Sequence, residues 1–279
     1  MGKRITQEKV RRHGSSFRGT EIQLAQQRRS KLVCTVSPVE TLDAMSRHEP
    51  RARAAMLENA TMNVQLSSIR SLFLDGPAGR LEALLNTGAE HATHAALVCH
   101  PHPLYGGTLH NKVVFHTMKA LNSFGYPVLR FNFRGAGLSQ GEHDQGNEEV
   151  EDVRTALDWL DREFHLPLIC AGFSFGAAVG LRVACPDVRV RAVIGLGMPV
   201  EASGDRVYDF EFLRDCMKPK LFVSGDRDQF GPRAKVERVV EALPEPKKLV
   251  IVEGADHFFE GRLRELREAI ETWVRDVSL

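Results

Sequence analysis

The chain has 279 residues, 43% hydrophobic and 26% charged, proportions typical of a folded protein long enough to bury a large core without disulfides or metals. Lys+Arg total 37 and Asp+Glu 36, a net charge of +1, which argues against a nucleic-acid partner bound through a basic surface. No run of about 18 apolar residues predicts a membrane span, and Cys34, Cys99, Cys170, Cys185 and Cys216 are odd in number and lack C-x-x-C spacing, against a zinc site or disulfide framework and for a reducing, cytoplasmic setting.

The charge is uneven along the chain. Residues 1–60 hold 12 Lys/Arg against 6 Asp/Glu, a net of +6, while residues 61–279 carry 25 against 30, a net of −5. The first segment is rich in Arg, Gln and Ser and has no sustained apolar period, so it is expected to be a disordered basic extension with at most a short helix at Arg51–Leu57. Arg11-Arg12 is not followed by the apolar stretch of a twin-arginine signal. Met62, just ahead of the first strand pattern, is a candidate biological start.

From Ile69 the pattern becomes regular. Ile69–Leu74 and Leu81–Leu85 flank Asp75-Gly76-Pro77-Ala78-Gly79, turn chemistry that predicts an antiparallel hairpin. Apolar strands follow at Ala95–Cys99, Pro127–Phe133, Leu168–Phe173, Ala192–Leu196, Leu221–Ser224 and Leu249–Val252. Helical spacing separates them at Lys112–Phe124, Glu148–Phe164, Phe175–Ala184, Pro232–Leu243 and Arg262–Val277. Alternation of this kind predicts an α/β fold with a mainly parallel sheet and helices on both faces.

Gly172-Phe173-Ser174-Phe175-Gly176 closes one such strand and opens a helix rich in small residues. A G-x-S-x-G in that context is a strand-to-helix elbow that exposes its serine above the sheet and faces helix N–H groups toward an oxyanion. A nucleophilic serine needs a base, and the base an orienting acid. His257 lies in a loop after the last strand, within Glu253-Gly254-Ala255-Asp256-His257-Phe258-Phe259. The preceding strand tip, Gly225-Asp226-Arg227-Asp228, offers two carboxylates. Asp228 is preferred because it lies further into the loop; Asp226 is expected to cap the turn, and Asp256 is too close to the base to reach its ring.

His100-Pro101-His102-Pro103-Leu104-Tyr105-Gly106-Gly107 follows the strand ending at Cys99. Such a loop supplies one oxyanion N–H, and the residue after the nucleophile the other. Pro101 and Pro103 have no N–H, which leaves His102, Leu104 and Tyr105. His102 and Phe175 are the expected pair. A competing reading, His100 and His102 as a metal pair, lacks a surrounding ligand cluster.

These two motifs, together with Phe131-Asn132-Phe133-Arg134-Gly135-Ala136-Gly137-Leu138-Ser139, resemble the α/β-hydrolase superfamily over residues 66–279. The likeness is strongest to small bacterial serine hydrolases related to dienelactone hydrolases, although the nucleophile of dienelactone hydrolase itself is a cysteine where this chain has Ser174. The resemblance implies a Ser174–His257–Asp228 triad, an eight-strand-type sheet and no cofactor or metal. Met198–Lys220 is too short for a large lid domain, which predicts an open site. Tyr105, Phe173, Met198, Phe230 and Phe258 are candidate pocket residues, and Arg134 is expected to pair structurally with a carboxylate such as Asp152. The expected reaction is hydrolysis of a small ester or thioester through an acyl-enzyme. A peptidase or amidase using the same triad, and a catalytically silent binding protein on this fold, are the alternatives. A panel of acyl esters against aminoacyl anilides separates the first; loss of fluorophosphonate labelling in Ser174→Ala separates the second.

Overall fold

The computed structural model describes residues 68–202 and 207–277; the basic extension and Met62 lie outside them. Eight strands alternate with five helices among the described residues. In chain order these are β1 (Ile69–Gly76), β2 (Gly79–Asn86), β3 (Ala95–Cys99), α1 (Lys112–Asn122), β4 (Val128–Phe131), α2 (Glu149–Phe164), β5 (Leu168–Phe173), α3 (Phe175–Ala184), β6 (Val190–Leu196), β7 (Lys220–Gly225), α4 (Arg233–Glu241), β8 (Lys247–Val252) and α5 (Leu263–Asp276). Short 3-10 turns sit at Pro103–Tyr105 and Glu211–Asp215.

The strands form one sheet in the order β1-β2-β4-β3-β5-β6-β7-β8. The hairpin β1-β2 and the β2-β4 pair are antiparallel, and every later pairing is parallel. Strand alternation sends successive side chains to opposite faces, so each central strand feeds two cores. Leu97 and Cys170 pack toward α2, α3 and α4, whereas Val98, Ala171 and Ile194 pack toward α1 and α5. Both faces are covered, which is why these strands read as unbroken apolar runs.

Chain direction across the sheet reverses at β3. The chain steps from β3 to β4 on one side and crosses to β5 on the other. Open parallel sheets bind ligands at such a switch point, beyond the carboxyl ends of the strands. The loop after Cys99 and the elbow at Ser174 both lie there. No helix among the described residues is long and apolar enough to cross a membrane, and no lid domain separates β6 from β7 among them.

Candidate active site

The turn at Ser174 is tight enough to demand its glycines. Ser174 has φ of 54° and ψ of −117°, a conformation that L-residues avoid and that functional sites retain under surrounding constraint. A Cβ at Gly172 would stand 2.2 Å from the Gly176 carbonyl oxygen, and one at Gly176 would stand 2.4 Å from the Cys99 oxygen and 2.5 Å from that of His100. Helix α3 is thereby pressed onto the end of β3. Ser174 N–H donates to Leu196 O at 2.9 Å, which ties the elbow to β6.

The structure brings Ser174, His257 and Asp228 together from three loops. His257 Nε2 lies 3.0 Å from Ser174 Oγ, and His257 Nδ1 lies 2.8 Å from Asp228 Oδ2. An ionised carboxylate only accepts, so the ring proton sits on Nδ1 and Nε2 is left as acceptor. Both side chains are buried. Asp228 is itself held, since its Oδ1 accepts from Phe230 N at 2.8 Å and Gly231 N at 3.0 Å. Asp226 is not the turn cap expected from its position. Its Oδ1 accepts from Gly254 N across the gap at 2.6 Å, and Arg227 N donates to Ala255 O at 3.0 Å. These bonds fasten the loop after β7 to the loop after β8, which carries His257. Asp256 caps its own loop, accepting from Phe258 N and Glu260 N at 3.0 Å each.

The loop after β3 is held from below by His100. Its Nδ1 donates to Pro101 O at 2.6 Å and its Nε2 accepts from Phe133 N at 2.9 Å. Burial holds this imidazole near a pKa of about 4, although the Pro101 carbonyl favours the proton. With both nitrogens engaged by backbone, His100 has no lone pair to give a metal. Leu104 N donates to His102 Nδ1 at 3.3 Å, and Tyr105 N donates to His102 O at 3.1 Å. Both alternative oxyanion donors are therefore spent inside the loop. Phe175, at the first position of α3, belongs to the helical turn whose N–H groups have no intrahelical acceptor.

A cavity of about 230 Å³ opens over Ser174 and His257. His102, Tyr105, Phe230 and Phe258 line it, together with Tyr208, Gln229 and Glu201, which sequence patterning did not single out. Two expected pocket residues do not line it. Phe173 is fully buried because strand parity turns it toward α1 and α5, where its ring lies 5.0 Å from that of His257 and supports the base from beneath. Met198 is 1% exposed and turns into the core under α2 to α4. Arg134 makes a two-pronged bond to buried Asp152, at 2.8 Å and 3.1 Å, and also pairs with Glu148.

Comparison with known proteins agrees with this architecture. Residues 94–278 match the model of an alpha/beta hydrolase domain family. An uncharacterized protein of Rickettsia prowazekii is 36% identical over 213 residues, covering 73% of this chain and 87% of its own. An α/β serine hydrolase without a lid from Xanthomonas campestris superposes with a TM-score of 0.68 at 34% identity, covering 75% of this chain and 94% of that one. An α/β serine hydrolase homologue from Coxiella burnetii gives 0.67 at 37% identity, covering 75% and 97%. With this fold, these relatives and a serine at the elbow, the chain belongs to the α/β-hydrolase domain family.

Proposed function

We propose that this protein is a serine hydrolase that cleaves a small ester or thioester through an acyl-enzyme. The observation that carries the reading is the continuous path from Asp228 through His257 to Ser174, at 2.8 Å and 3.0 Å. Ser174 Oγ attacks the carbonyl carbon while its proton passes to His257 Nε2. Asp228 holds the Nδ1 proton and favours the imidazolium that forms. The oxyanion is received by the backbone N–H groups of Phe175 and His102. Removal of one such donor typically costs roughly 100- to 1000-fold in rate. Collapse expels the alcohol or thiol, which takes the proton from Nε2. Water then enters by the same base and releases the acid. No step calls for a cofactor or metal.

The aromatic walls of Tyr105, Tyr208, Phe230 and Phe258 favour a neutral, short acyl group. The catalytic domain is taken as residues 66–279. The kinship to dienelactone hydrolases rests on the loop and elbow motifs, and a reducing cytoplasmic setting rests on the free, buried Cys99, Cys170, Cys185 and Cys216. The deciding experiment is labelling with a fluorophosphonate probe, paired with p-nitrophenyl butyrate turnover. Labelling and turnover that vanish together in Ser174→Ala support the reading; an unlabelled, inactive wild-type chain refutes it.

A further inference from the structure

The connection from β4 to α2 carries the Phe131–Ser139 motif, whose side chains take no part in the chemistry above. Its residues instead brace the far side of the active site. Asn132 Oδ1 accepts from Leu109 N at 2.8 Å, and its Nδ2 donates to Glu82 Oε2 at 2.7 Å. Phe133 N holds His100, and His100 holds Pro101. Beyond the motif, the same connection delivers a second histidine to the His102 loop. The His143 side chain is 4% exposed and that of Glu149 is 0% exposed. His143 Nδ1 lies 2.6 Å from Glu149 Oε1, a close contact in which Nδ1 makes no hydrogen bond. Its Nε2 is buried with no hydrogen-bond partner among the described residues.

Glu149 is fixed in place by backbone donors. It accepts from Asp144 N and Gly146 N, at 2.8 Å each, in the first turn of α2. The carboxylate so held lies against Nδ1 of the His143 ring. The ring packs 4.6 Å from the His102 ring and 5.4 Å from that of Phe175. His102 and Phe175 are the two residues whose N–H groups face the oxyanion in the proposed mechanism. A buried polar atom without a partner is rare in folded proteins, and here the ring that carries it packs against the two residues whose placement matters most to the proposed transition state.

We infer that His143, oriented by Glu149, is a positioning residue for the oxyanion side of the site, setting the His102 loop against the start of α3. The inference rests on the proposed serine-hydrolase reading. Its consequence is specific. A group that places the oxyanion donors acts on the transition state and not on ground-state binding, so its loss lowers kcat and leaves KM.

The test uses the full chain as wild type, His143→Phe, His143→Asn and Glu149→Gln. Fluorophosphonate titration counts competent sites, p-nitrophenyl butyrate gives kcat per titrated site and KM, and thermal melts report folding. His143→Phe keeps the ring and removes its nitrogens. It is expected to lower kcat per site by about 10- to 100-fold, the upper end matching a displacement of about 1 Å at the reacting groups. KM is expected to stay within about twofold. His143→Asn offers an amide N–H to Glu149 where Nδ1 stood, and it recovers part of the loss. Glu149→Gln shows the same kcat-selective loss and serves if His143→Phe does not fold. Unchanged kcat per site, whether with full titre or with lower titre and melting temperature, overturns the inference by assigning the pair to stability alone. A loss carried mainly in KM overturns it too. A wild-type chain that labels and turns over while the variants match it refutes only this inference. A wild-type chain that does neither refutes the serine-hydrolase reading and this inference with it.

Discussion

Replacing Asp228 with Asn changes one atom and keeps the shape of the site. The Asn oxygen still accepts from Phe230 N and Gly231 N, as Asp228 Oδ1 does at 2.8 Å and 3.0 Å. Its amide NH2 then faces His257 Nδ1, where Oδ2 stood at 2.8 Å. An NH2 group cannot accept the Nδ1 proton, so the imidazole must carry its proton on Nε2. That nitrogen then has no lone pair for the Ser174 hydroxyl 3.0 Å away. The expected loss in kcat is about 10³- to 10⁴-fold, or about 4 to 5.5 kcal/mol of transition-state stabilisation, by analogy with serine proteases. Because the backbone bonds to Oδ1 persist, stability should change by no more than about 1 kcal/mol, a shift in melting temperature of about 2–4 °C. The assay is steady-state turnover of p-nitrophenyl butyrate alongside a thermal melt, with Asp226→Asn in parallel. Asp226 bridges to Gly254 N, so its substitution should cost about 1 kcal/mol of stability while sparing most of the turnover. Asp228→Asn activity within about tenfold of wild type, or a larger loss in Asp226→Asn, would refute the assignment.

Three further outcomes are expected. A series of p-nitrophenyl esters should peak between acetyl and hexanoyl, because the cavity is about 230 Å³ and no large lid covers it among the described residues; a peak at dodecanoyl or beyond contradicts this. Gly176→Ala drives a Cβ to 2.4 Å from the Cys99 oxygen, so melting should show a loss of about 1–3 kcal/mol or more, and a melting temperature equal to wild type contradicts the packing argument. Burial lowers the His100 pKa to about 4, against about 6.5 in the unfolded chain. The unfolded state therefore binds the proton first, and His100 destabilises the fold progressively as pH falls from about 6.5 to about 4, by up to about 3 kcal/mol. Denaturant titrations at pH 7.5, 6 and 4.5 should show this slope in wild type and a shallower one in His100→Gln; parallel slopes would reject the assignment to His100.

Much of this molecule is determined locally. Apolar strands buried on both faces, amphipathic helices between them and Gly-rich turns at Asp75–Gly79 are properties of short stretches of chain, and they set the α/β layering before any tertiary contact is considered. The Ser174 elbow is equally local, since its geometry depends on the two glycines in the same pentapeptide and on the helix that follows. What remains depends on groups distant in sequence. Asp226 and Asp228 are chemically alike and two residues apart; only the bonds that fasten their loop to Gly254 and Ala255 turn one toward His257 and the other away from it. Phe173 and Met198 have the apolar character of pocket residues, yet strand parity and the turn after β6 bury them in the two cores. The cavity wall at Tyr208, Gln229 and Glu201, and the meeting of His143 with Glu149 behind His102, leave no periodic or motif signal, because their positions are set by how separate loops pack at the carboxyl edge of the sheet.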